Sequence, residues 1–345
     1  MASLEQLLAI ARNTFFESIR QPVLLVVLVA CTILVALSNP FSAYTLTDDN
    51  KMFVDIGMST IFIGGAILSA FIASNVISRE IENRTVLTVV SKPVSRAVFV
   101  LGKYVGVAGA QLLAMTFLGF VFMLVEIHGV QQTVTTPYHL PVILLGFGAL
   151  LLGTGAGLWC NFFYGWVFSS TFAVLTTPLL ALAYVLALVF DAGFAPQAPS
   201  VAFEGDLWIA VLVLILGELV LTAIAVAAST RLGQVLTLLV TVGFFLLGLL
   251  SDWLFARRIN AYSEIFDSLG QSTTAPLDGL HLKYWFFTAI YSVTPNFQVF
   301  WLADAITQET SIPGDYLAWT IPYGLFLIVI CLGLAVMLFQ RREVG

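Results

Sequence analysis

The chain has 345 residues, 59% of them hydrophobic and 10% charged, with a formal net charge of −6. Soluble domains run about 45–50% apolar and about 25% charged, so this composition excludes an ordinary soluble domain and points to a polytopic membrane protein. Cys31, Cys160 and Cys331 lie far apart in or beside apolar runs, which excludes a disulfide framework or a metal-ligand spacing and leaves three small buried hydrophobes.

Residues 1–21 form an amphipathic stretch. Leu4, Leu7, Leu8, Ala11, Phe15 and Ile19 recur at helical spacing, opposite Glu5, Arg12, Asn13, Glu17 and Arg20. The pattern fits a helix in the membrane interface, with packing on protein as the alternative. A cleavable signal is not expected, because no small-residue cleavage pattern follows the first apolar run.

Residues 22–77 hold two spans. The first runs from Pro22 to about Ser38, short for the ~20 residues a bilayer requires, and Asn39 with Pro40 ends it. The second runs from about Val54 to Ile77. Residues 78–103 are a charged island with Arg79, Arg84, Lys92, Arg96 and Lys103, five of the chain's fourteen Lys and Arg. Each such charge costs ~2.5–3.5 kcal/mol at the bilayer centre, so the island reads as a loop in water. Val86, Leu87, Val89 and Val90 interleave with its charges. Apolar anchors inside a charged rim are what a docking surface presents, and Pro93 can set a turn between two short helices.

Residues 104–252 hold further spans, at about 104–125, 207–228 and 232–250, with a hairpin in 141–190 that divides near 141–159 and 167–190. Gly153 and Gly157 make a GxxxG pair, a weak signal in apolar sequence. Asn161 to Trp166 reads as a tight turn, and Pro178 as a kink. Glu218 is the only carboxylate in the middle of a predicted span, and an intramembrane acid marks a functional position by default. It can carry a proton, face a polar cavity or bond a neighbour, so a helix or subunit contact and a transport-path role both stay open.

Residues 253–318 are the longest polar stretch, with an aromatic cluster at 284–301 broken at Thr294-Pro295-Asn296. Trp and Tyr favour the headgroup level, so interfacial or re-entrant helices are expected there. His128, His139 and His281 stand singly in predicted loops and read as solvated, with no metal site. Residues 319–345 hold the last span, stopped by Arg341 and Arg342. Eight spans with both termini in the cytoplasm place ten of the fourteen Lys and Arg inside, as the positive-inside rule asks. No GxxxxGK[ST] loop is present, so the chain is not expected to hydrolyse ATP itself.

The island also carries a resemblance. Glu80 and Glu82, then Arg84-Thr85, then Lys92-Pro93-Val94-Ser95-Arg96, then Gly102-Lys103 are similar to the cytoplasmic loop of ABC-2 type permeases. The closest flavour is the branch that includes the permease serving nitrous oxide reductase maturation. The amphipathic start, the hairpin turn at Ser229-Thr230 and the Pro295-Asn296-Phe297 segment fit as well. The resemblance implies an all-α exporter-type transmembrane domain in a bacterial inner membrane, paired with a second copy or a related permease. It implies a separate ATPase subunit that carries ATP and Mg and docks on Glu80, Glu82, Arg84, Thr85, Lys92, Pro93, Val94, Ser95 and Arg96. No cofactor is expected in this chain and no nucleic acid among its partners; residues 253–318 could meet an extracytoplasmic one. The family core has six spans, so 141–190 looks like an added hairpin. A proton-coupled carrier using Glu218, and a membrane subunit that only transmits force or anchors a complex, are the alternatives. The cargo is not legible.

Overall fold

The computed structural model describes residues 2–45, 49–75, 95–130, 137–270, 279–308 and 310–340. The described residues are helical, joined by turns and one isolated bridge between Phe190 and Pro196. In chain order the helices are α1 (Ala2–Ile19), α2 (Pro22–Ser42), α3 (Asp49–Ala73), α4 (Arg96–His128), α5 (Leu140–Tyr164), α6 (Phe168–Val189) and α7 (Gly205–Ser229). Then come α8 (Gln234–Leu249), α9 (Arg257–Ser268), α10 (Gly279–Val293), α11 (Ala303–Thr307) and α12 (Gly314–Gln340).

Among the described residues seven helices are long and apolar enough to cross a membrane: α2 to α7, and α12. An eighth crossing arises if α8 counts together with the helix that follows it across a 54° bend. The sixteen residues of α8 rise about 24 Å, short of a hydrocarbon core of about 30 Å. A π-helical turn at Asp252–Ala256 continues the chain into α9. The protein is therefore an all-α, multi-pass membrane protein.

Several helices overrun the apolar stretches that announce them. α2 continues through Pro40 to Ser42, where Asn39 Nδ2 donates to the Gly129 carbonyl. α3 begins in the polar flank at Asp49 and α4 at Arg96. Hydropathy marks where hydrocarbon starts, whereas a helix ends where its backbone groups find other partners.

α7 runs through the middle of the bundle against α3, α4, α8 and α12, and most of its residues are buried. α1 lies along the first half of α4, where Gly106 permits the contact: a Cβ there would stand 2.5 Å from the Ala11 carbonyl oxygen and from Thr14 Cβ. Ala11, Thr14, Ser18 and Ile19 are buried, while Leu4, Leu8 and Phe16 are exposed. The expected single apolar face is thus divided, part turned to protein and part outward. Gly106→Leu is expected to destabilise the protein by ~1–3 kcal/mol through overpacking, read as a lower melting temperature in detergent. Gly148→Leu, where nothing lies within 4 Å, should not lower it.

The 141–190 hairpin closes through its glycines. A Cβ at Gly153 would meet Thr176 Oγ1 at 2.0 Å, and one at Gly157 would meet Phe168 at 2.9 Å. Gly165, at φ 67°, ends α5 in the left-handed region that glycine adopts freely. α6 runs on through Pro178 and packs on α4, whereas α5 turns Leu144, Phe147, Leu151 and Leu158 outward.

Candidate functional site

Three groups of polar residues stand out: at the island end of the bundle, in its middle and at the far end. Of the docking residues named from sequence, Glu80, Glu82, Arg84, Thr85, Lys92, Pro93 and Val94 lie outside the described residues; Ser95 and Arg96 lie within them. Ser95 caps α4, its Oγ accepting from the Val98 amide at 3.2 Å. Residues 96–103, expected to belong to the loop, are instead the first turns of α4. Their charges are met inside the protein, which lets them sit in a packed helix. Lys103 is buried with Nζ 3.8 Å from Glu17 Oε2 and 5.8 Å from the Phe99 ring centroid.

The Arg96 guanidinium donates to the carbonyls of Phe339 and Gln340, and Arg231 Nε donates to the Leu338 carbonyl at 2.8 Å. These carbonyls belong to the last described turn of α12. Two arginines from distant parts of the chain therefore hold one turn of α12. Asn75, on the other flank of the island, donates to Gln21 Oε1 at 3.1 Å and accepts from Gln234 Nε2 at 2.7 Å. The flanks of the island are thereby tied to the α1–α2 junction, the start of α8 and the end of α12. Sequence reasoning counted Arg231 only among the inside charges and assigned no role to Asn75, Gln21 or Gln234.

Glu218 lies fully buried in the middle of α7. Its Oε2 lies 3.3 Å from both Ser69 Oγ on α3 and Gln111 Nε2 on α4. Gln111 was missed from sequence, although an amide inside an apolar run is a visible signal.

At the far end, Asp252 Oδ1 accepts from the Tyr291 hydroxyl and from Asn296 Nδ2, each at 2.8 Å, and the Asn296 amide donates to the Tyr323 hydroxyl at 2.9 Å. Burial pushes the Tyr291 phenol above its ordinary range, and its bond to Asp252 adds to the shift. This network fixes the segment before α12. Phe297 fills the space over Gly248, where a Cβ would stand 2.2 Å from its ring, and Phe300 packs on Gly217 at the midpoint of α7.

The histidines depart from expectation. His139 caps α5 and is buried, with burial first and then His128 holding its imidazole below the ordinary range while Asp191 opposes. His281 is buried with its ring centroid 4.3 Å from that of Phe266. Only His128 remains partly open, because the other two rings pack into helix–helix and cap contacts. Among the described residues no group of three His, Cys, Asp or Glu could hold a metal ion.

No curated protein matches the sequence. Residues 28–234, more than half of the chain and with the island among them, match the family described as ABC-2 family transporter protein. On that match, with the bundle of long apolar helices to support it, the chain belongs to the ABC-2 transporter family.

Proposed function

We propose that the chain is the permease subunit of an ATP-driven exporter, moved by a separate ATPase that grips the island from the cytoplasm. ATP and Mg belong to that partner. The reading includes eight spans with both termini inside, a bacterial inner membrane, pairing with a second copy or a related permease, and kinship with the nitrous oxide reductase maturation branch. The observation that carries it is the tethering of both island flanks: Asn75 to Gln21 and Gln234 before it, Arg96 to the end of α12 after it. A displacement of the island is thereby passed to helix ends across the bundle. The seal around Glu218, which is 0% exposed, weighs against a proton-coupled carrier that must offer its acid to water. At the outer end a cleft of about 630 Å³, lined by Asp252, Arg257, Asn260, Glu264 and Tyr291, is available to an extracytoplasmic partner.

Affinity purification of the native assembly tests the reading. An ABC ATPase is expected to copurify in stoichiometric amount, and an assembly free of any ATPase would overturn the proposal.

A further inference from the structure

The middle of the bundle has an imbalance of hydrogen-bond donors and acceptors. Glu218 on α7 is enclosed by α3 and α4, and it occupies the place a side chain at Gly65 would take: a Cβ there would stand 2.6 Å from its carboxyl carbon. Gln111 Nε2 donates to Glu218 Oε2 at 3.3 Å and to the Gly65 carbonyl at 3.0 Å. The Thr222 hydroxyl donates to the Glu218 backbone carbonyl at 2.8 Å. Ser69 therefore has one hydroxyl proton for two acceptors, Thr222 Oγ1 at 2.9 Å and Glu218 Oε2 at 3.3 Å. Two buried oxygens are left with no donor, Glu218 Oε1 and Gln111 Oε1. Among the described residues the carboxyl has no cationic partner.

An unpaired carboxylate in such surroundings is too costly to persist, and the group takes up a proton instead. An acid and an amide have complementary edges: the amide N–H gives to one acid oxygen, and the acid O–H gives to the amide oxygen. The first of these bonds joins Gln111 Nε2 to Glu218 Oε2. The two oxygens without donors are the atoms that would form the second. We infer that Glu218 is a proton-binding site, held as a neutral carboxylic acid with its proton on Oε1 and paired edge to edge with the Gln111 carboxamide. The proton comes from water during assembly, with no redox change. The pair ties α7 to α4 across Gly65 without leaving a charge in the interior.

Infrared spectroscopy and a mutant cycle on the full-length protein in lipid nanodiscs test this. The wild type at neutral pH should show the C=O band of a protonated carboxyl, slow to exchange in heavy water and lost in Glu218→Gln. The melting temperature should hold in Glu218→Gln, which keeps one donor and one acceptor edge. It should fall by several degrees in Glu218→Met and in Gln111→Met, with losses that do not add in the double variant. A wild-type spectrum without that band, or a Glu218→Gln protein as unstable as Glu218→Met, would overturn the inference. Should the methionine variants fail to fold, the band and its loss in Glu218→Gln still decide.

Discussion

Arg84→Glu combined with Lys92→Glu is expected to strip the ATPase from the purified permease while membrane insertion stays intact. Both residues belong to the island, and both are reserved for the partner on the proposed reading. Arg96 and Lys103 are kept in this variant because each has a structural engagement of its own, Arg96 with the α12 carbonyls and Lys103 with Glu17. Changing either would confuse loss of docking with loss of packing. At about 1.4 kcal/mol for each reversed charge, the ATPase should bind about 100-fold more weakly. Copurification at the wild-type level would remove the island from the docking surface.

The second large effect concerns coupling rather than binding. Because the Arg96 guanidinium is engaged by α12 carbonyls and Lys92 and Arg84 remain for the partner, Arg96→Ala with Arg231→Ala is expected to leave the ATPase bound and hydrolysing ATP while the work done in the membrane is lost. The two guanidiniums hold the same helix end, one from the start of α4 and one from the turn between α7 and α8. Without them the carbonyls of Leu338, Phe339 and Gln340 lose these donors, at a cost near 1 kcal/mol for each contact at this exposure. That is small for the whole fold and large for one terminal turn. Hydrogen exchange should therefore quicken in the last turn of α12 and remain unchanged in α7. A variant that exports normally would show that α12 is not pulled through this clamp.

Much of the bundle was legible because each crossing needs an apolar run long enough to cover hydrocarbon. Val54 to Ile77 and Leu207 to Ala228 announced α3 and α7 for that reason. What escaped was set by partners far away in sequence. Nothing near Arg96 says that its acceptors are backbone carbonyls more than 240 residues later, since a carbonyl leaves no mark on residue type. Glu218 was visible as an oddity, but its neighbours Ser69 and Gln111 lie 149 and 107 residues away. The histidines misled for the opposite reason. A polar residue near a span end looks solvated until a neighbouring helix covers it, as Phe266 covers His281.

The seat of Phe300 against Gly217, with Tyr323 stacked beyond it at 6.1 Å between ring centroids, bears on where cargo can travel. The ring fills the space beside the midpoint of α7 and leaves no room there for another group. On the proposed permease reading, a route would then run along a seam such as the groove of about 480 Å³ between α2 and α3, or require the ring to move.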